Sequence, residues 1–154
     1  MSDLVMTLET LKDIPLFVLP EAFRLRAHRP GDEELWARIQ NEADEFQEID
    51  RSVFDAQFGS DSREHGRRIF YMETNDGEPV GSIAAWYGES DFDAAWGRIH
   101  WVAILPAWQG KGLSKPLMTA ALERLRELGH EKAYLTTDTR RAGAIALYRK
   151  FGFD

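Results

Sequence analysis

Cysteine is absent from this chain. A disulfide framework, a thiolate-ligated zinc and a thiol nucleophile are therefore excluded, and the fold rests on its core alone. Long apolar runs are missing too. Nothing approaches the ~18 consecutive apolar residues of a membrane-spanning helix. The first apolar cluster, Leu4-Val5-Met6, lies between acidic residues, and the next, Ile14 to Leu19, is short and carries Pro15. Neither has the basic start and longer apolar stretch of a secretory leader, so the expectation is a cytoplasmic protein with no membrane partner. Basic charge is in short supply: 19 Lys and Arg face 26 Asp and Glu, for a net charge of −7. A general nucleic-acid binder needs a net basic face, so no nucleic-acid partner is expected.

What is present reads as one globular domain. The 154 residues are 44% hydrophobic and 29% charged, and a chain of this size buries about 70% of its unfolded surface. Residues 1–22 read as a loosely structured N-terminal arm, tacked to the body by Leu16, Phe17 and Leu19. Phe23 to His28 alternate like a half-buried strand. Pro30-Gly31 turns, and Asp32 is placed to cap a helix carrying Leu35, Trp36, Ile39 and Ala43. A short helix holds Val53, Phe54, Gln57 and Phe58. Ile69–Met72 and Val80–Tyr87 form a hairpin about Asn75-Asp76-Gly77. A long strand, Arg98–Leu105, is stopped by Pro106. A glycine-rich turn, Gln109 to Ser114, then enters a helix with Leu117, Met118, Ala121, Leu122, Leu125 and Leu128 on one face. Pro116 suits its first turn and Gly129 its end. A strand over Lys132–Thr137 and an amphipathic helix with Ala144, Ile145, Leu147, Tyr148 and Phe151 complete the chain. This order predicts an α/β (α+β) fold with a mixed sheet and helices on both faces.

Strand, glycine turn and helix together form an anion site. Glycines let several N–H groups point one way, and the helix N-terminus adds about half a positive charge. The Walker pattern does not fit Gly110-Lys111-Gly112, and the dinucleotide fingerprint wants glycine where Lys115 stands. The pattern that fits is Gln/Arg-x-x-Gly-x-Gly/Ala, met by Gln109, Gly112 and, with a hydroxyl added, Ser114. Here the sequence resembles the GCN5-related N-acetyltransferase (GNAT) superfamily over roughly residues 23–154. Four segments carry the resemblance in order: Arg26 to Asp32 with Trp36, Asp76 to Gly81, His100 to Pro106, and Ala144 to Phe153. It departs from the family at Ser114 and at Arg141, which stands where the family often has Asn. The family also usually continues past Gly-Phe into one more strand. That points to a short sheet edge, a cut chain, or a partner filling the edge as in a homodimer.

The resemblance implies a mostly antiparallel twisted sheet, acetyl-CoA as co-substrate without a metal, and transfer of acetyl directly to a primary amine of a small molecule or peptide. It places the pyrophosphate on Gln109, Gly110, Lys111, Gly112, Leu113, Ser114 and Lys115, with Arg140 or Arg141 nearby. The pantetheine arm would pair with the main chain of Val102, Ala103 and Ile104. An acceptor amine of pKa about 10.4 costs about 4.6 kcal/mol to deprotonate at pH 7. His100, with an unperturbed pKa of about 6.5, is the candidate base, and Asp138 is second. Tyr148 matches the family tyrosine that protonates or bonds the leaving sulfur. His28, His65 and His130 lack metal-ligand spacing and read as surface or strand residues. Trp86 or Trp96 could line an acceptor pocket. Glu42, Asp44, Glu45, Glu48 and Asp50 form a solvated acidic face that could also draw in a cationic amine. Two rival readings stay open. One is a catalytically silent GNAT module binding acyl-CoA as sensor or interaction protein; the other is a phosphate binder that does not use coenzyme A.

Overall fold

The turn at Asn75-Asp76-Gly77 organises the middle of the sheet. In this computed structural model, which describes residues 3–44 and 48–154, Gly77 sits at φ 87°, a left-handed value that glycine meets without a Cβ clash. The turn joins β3 (Ile69–Thr74) to β4 (Pro79–Tyr87) as an antiparallel pair. β2 (Phe23–Ala27) flanks β3, and β5 (Trp96–Ile104) flanks β4, both antiparallel. β6 (Lys132–Asp138) runs parallel to β5. The strand order is β1-β6-β5-β4-β3-β2, with β1 (Asp3–Leu8) antiparallel to β6. The sheet is mixed and mostly antiparallel, as expected.

Helices cover both faces. α1 (Glu33–Ala43), α2 (Arg51–Phe58) and α3 (Ser62–Arg68) lie on one side. There Trp36, Ile39, Phe54 and Phe58 pack on Ile69, Tyr71 and Ala84. α4 (Ser114–Glu127) and α5 (Ala142–Lys150) lie on the other. Leu117, Met118, Ala121, Leu122 and Leu125 of α4 are wholly buried there, against Ile83, Ala85 and Ile99. Burying each of the Leu and Met side chains contributes about 1.5–3 kcal/mol, so this stripe holds α4 firmly to the sheet.

Several expectations require correction. Residues 1–22 are not loose throughout: residues 3–8 form β1, and Leu11 and Ile14 are buried. β1 pairs with β6 on one side, and its Thr7 exchanges both backbone hydrogen bonds with Asp154 at 2.9 Å on the other. Phe17 does tack the following segment down, through Phe151 and the Thr119 hydroxyl, but Leu16 is 69% exposed. Asp32 precedes α1 without capping it by its side chain. Its carboxylate is drawn to the Arg26 guanidinium at 2.7 Å and the Arg29 N–H at 2.8 Å instead. α3 was not foreseen. Its buried residues are His65 and Arg68 rather than aliphatics, so it has no hydrophobic period.

One irregularity shapes the rest. Ala84 faces His100 and Ser82 faces Ala103, so Ile83 stands opposite both Trp101 and Val102. This is a β-bulge, and Trp101 adopts φ 53° within it. A bulky residue there costs of order 1–3 kcal/mol. The extra residue resets the alternation. Trp101 and Ala103 turn to the α1–α2 face, while Val102 and Ile104 turn to the α4 face. Gly81 accommodates the bulge, because a Cβ there would strike the Ala103 carbonyl oxygen.

Gly81→Ala is expected to destabilise the fold by about 1–3 kcal/mol. Urea unfolding should show a lower midpoint with an unchanged slope.

Candidate active site

β5 and β6 pair only from Trp96–Arg98 to Lys132–Tyr134 and then part. The gap is a cleft of about 570 Å³. β5 lines it from Arg98 to Ile104 and β6 from Leu135 to Asp138, with Tyr148 of α5 and Gln40 and Asp44 at the end of α1. Past the pairing, the facing edges of β5 and β6 do not bond each other. Such an edge offers N–H and C=O groups to any extended amide-bearing chain laid along it.

The cleft's lining ends at Gln109, the first residue of the glycine turn; Gly110, Lys111, Gly112, Leu113, Ser114 and Lys115 lie beyond it. After a 3-10 turn at Pro106–Trp108, Gly110 and Gly112 take φ 77° and 74°. Nothing lies within 4 Å of a Cβ at either, so glycine serves conformation here, not space. Leu113 is buried and pins the loop, and α4 starts at Ser114. The first amides of a helix have no intrahelical partner, so this turn presents N–H groups and the positive dipole end together. Gln109 plays a structural part: its Nε2 donates to the Ile104 carbonyl at 2.8 Å and ties the loop to β5. That carbonyl is thus already engaged.

The flanking cations differ in availability. Lys111 is exposed. Lys115 lies 5.5 Å from the centre of the Phe17 ring, on the side of the N-terminal segment. Arg140 is committed to Asp138 at 2.7 Å. Arg141 borders the cleft, 59% exposed and 3.6 Å from Asp44.

His100 lies on the cleft wall, on the same face of β5 as Arg98. Its Nε2 meets Gln57 Oε1 at 2.8 Å, and the Trp101 indole N–H donates to the same oxygen at 3.2 Å. An amide oxygen only accepts, so Nε2 carries the proton and Nδ1 is left bare. Burial, with Arg98 second, pulls His100 down from 6.5 to about 3. The near-neutral titration expected of it is therefore not what its surroundings give. Asp138 is held at about 2 by hydrogen bonds from Arg140. Tyr148 is buried, which pushes its hydroxyl above the ordinary 10 and keeps it protonated.

The structure brings His100, Val102, Ala103, Ile104, Gln109, Arg141 and Tyr148 to one cleft. Trp86 and Trp96 face elsewhere: Trp86 packs on Phe58 and Tyr87, Trp96 on Phe92 and Tyr134. Trp101 is the tryptophan on the cleft. Of the acidic stretch, Asp44 reaches it, Asp50 caps α2, and Glu45 lies outside the described residues. His28, His65 and His130 are buried rather than superficial, and His28 and His65 come together with Glu33. Two residues escaped sequence reasoning. Gln57 was only a position on a helical face. Gln40 sits four residues after Trp36 in the buried spacing of α1. It is 5% exposed, and its Nε2 has no partner at the cleft wall. A polar residue in an apolar stripe was the available signal.

Residues 33–153 match the model of the acetyltransferase (GNAT) family. A mycothiol acetyltransferase from Saccharomonospora viridis is 32% identical over 145 residues, covering 88% of this chain and 47% of that protein. One from Pseudarthrobacter chlorophenolicus is 28% identical over 156 residues, covering 92% and 45%. The chain thus spans about half the length of the curated relatives it matches. A crystal structure of a GCN5-related N-acetyltransferase from Sphaerobacter thermophilus superposes with a TM-score of 0.81 at 24% identity, covering 99% of this chain and 47% of that one. The chain belongs to the GNAT family, and it shares its fold with the Sphaerobacter thermophilus structure. Among the described residues no helix is long and apolar enough to cross a membrane.

The histidines give a pH prediction. His100 and His130 both sit below 6.5 because burial disfavours the imidazolium. The unfolded chain therefore binds protons first as pH falls, so stability present above 6.5 declines below it. The urea midpoint should drop steadily from about pH 7.5 to about pH 5, and His100→Asn should flatten that decline.

Proposed function

We propose that the chain is an acetyl-CoA-dependent N-acetyltransferase acting on a primary amine of a small molecule or peptide. The observation that carries this reading is the continuity of the cleft. An unpaired strand edge leads to Gln109, where the loop of glycine-freed amides begins before the helix N-terminus. That pairing suits a long ligand with amides along its arm and phosphates at its far end. A putative acetyltransferase from Salmonella typhimurium, solved with acetyl-CoA, shares the fold at a TM-score of 0.68 and 22% identity over 87% of this chain and 80% of that one. Its cofactor supports the same ligand here.

In the reaction the amine nitrogen bonds to the thioester carbonyl carbon, the C–S bond breaks, and the amine loses a proton as the sulfur gains one. The residues divide this work by their ionisation. Tyr148 stays protonated, so it donates a hydrogen bond to the departing sulfur. Full transfer of its proton to a thiolate of pKa about 8.5 would be uphill, which favours bonding over donation. His100 at about 3 is neutral and accepts at Nδ1. Taking a proton from an ammonium of pKa about 10.4 would be uphill by about 7 units, so its part is to orient the free amine rather than store its proton.

The low pKa values of His100 and Asp138 also favour the second reading, a non-catalytic acyl-CoA binder. Thiol release over a panel of amines separates the two. Turnover with at least one amine is expected, and tight coenzyme binding without turnover would leave the binder.

For the enzyme, kcat/KM should climb with pH along the acceptor's own ionisation, with no inflection near 6.5. An inflection there would make His100 the base. Tyr148→Phe should lower kcat roughly 10- to 150-fold, matching about 1.5–3 kcal/mol for a hydrogen bond to a charged group. Acetyl-CoA at a hundredfold excess over Kd should still stabilise that variant by about 2.7 kcal/mol.

A further inference from the structure

Away from the cleft, three metal-ligating side chains meet inside the layer formed by α1, α2 and α3. His28 follows β2, Glu33 opens α1, and His65 lies on α3. Their exposures are 4%, 8% and 5%. One donor atom from each lies within 4.8 Å of the other two, and His28 Nε2 stands 3.5 Å from Glu33 Oε1.

The remaining polar atoms of the three side chains are already held by the protein. His65 Nε2 faces the carbonyls of Phe58 and Gly59, each at 3.1 Å. Carbonyls only accept, so Nε2 carries the proton and Nδ1 is bare. The Tyr71 hydroxyl donates to the Asp32 carbonyl at 3.4 Å and lies 2.8 Å from His28 Nδ1. In the tautomer with the proton on Nδ1 the hydroxyl accepts it and His28 Nε2 faces Glu33 bare; in the other, Nε2–H donates to Glu33. The second oxygen of Glu33 accepts the Gly31 N–H at 2.9 Å. In the first tautomer two imidazole nitrogens and a carboxylate oxygen converge with no proton between them, an arrangement that a cation would satisfy.

We propose that His28, Glu33 and His65 form a structural site for a divalent transition metal of the zinc class. Two imidazoles and one carboxylate are a zinc donor set that leaves the fourth tetrahedral position to a water, whereas calcium and magnesium would need an oxygen-rich shell. Each imidazole also donates its other N–H to a fixed oxygen, the support that ligating histidines receive. Tetrahedral coordination at about 2.0–2.1 Å sets donors about 3.4 Å apart, so the side chains close by small shifts. The metal would fasten the start of α1 and α3 to the end of β2. Through Phe58 and Gly59 it would also steady the end of α2, where Gln57 holds His100 and Trp101.

The test uses the whole chain, stripped with EDTA, loaded with Zn²⁺ or Co²⁺ and dialysed. Elemental analysis should find a single equivalent retained. The Co²⁺ form should show the visible absorption of a tetrahedral site, and Zn²⁺ should raise the melting temperature. Glu33→Gln and His65→Gln should abolish retention, and His100→Asn should keep it. Tyr71→Phe should weaken binding about 10- to 100-fold. Wild-type protein that neither retains metal nor melts later with it overturns the proposal, whatever the variants do. Retention undiminished in both Glu33→Gln and His65→Gln overturns it as well. None of these readouts depends on acetyl transfer, so they stand apart from the fate of the enzymatic reading.

Discussion

The structure turns on the parting of β5 from β6. Parallel strands normally continue their ladder, and stopping it exposes backbone groups that must find other partners. Here the ladder lasts three residues on each strand, and the facing edges then diverge around a cleft. The cost of those groups is tolerable only where solvent or a ligand reaches them. The same divergence sets the glycine loop at one end and the α1 terminus at the other. The bulge at Trp101 belongs to this arrangement, since it swings consecutive side chains, His100 and Trp101, onto one wall and lets both reach Gln57.

Charge near the loop is thinner than the sequence implies. Under the proposed reading, a chain of net charge −7 would hold its anionic ligand by local positive potential. Arg140 is spent on Asp138 and Lys115 lies over Phe17. Under that reading, most of the task would fall to backbone amides and the α4 dipole, with Lys111 and Arg141 helping. Amides positioned by glycine are rigid and uncharged, so their contribution is less sensitive to salt than that of lysines.

Much of the fold was legible. The hairpin turn, the aliphatic stripe of α4 and the Gly129 and Gly152 helix ends each have a local cause, and each lies where that cause puts it. The cleft's composition was legible through the ordered motifs around His100, Gln109 and Tyr148. What escaped depended on tertiary context. β1 needs β6 to exist as a strand, so its own residues carried too little pattern. α3 buries His65 and Arg68, which periodicity counts as polar. The bulge at Trp101 leaves no mark in an apolar run such as Trp101 to Leu105. The ionisation of His100 follows from burial and from Arg98, neither of which a sequence position reveals.

The pairing of β1 with β6 also has a temporal side. Residues 3–8 leave the ribosome well over a hundred residues before 133–138, their ladder partners. Closing so long a loop costs conformational entropy that collapse of the intervening hairpin and helices reduces, so this contact is expected among the last to form. Until then the growing chain carries an orphan β-segment with apolar Leu4, Val5 and Met6. The wall of the cleft that β6 supplies is braced on its outer edge only when β1 returns to it.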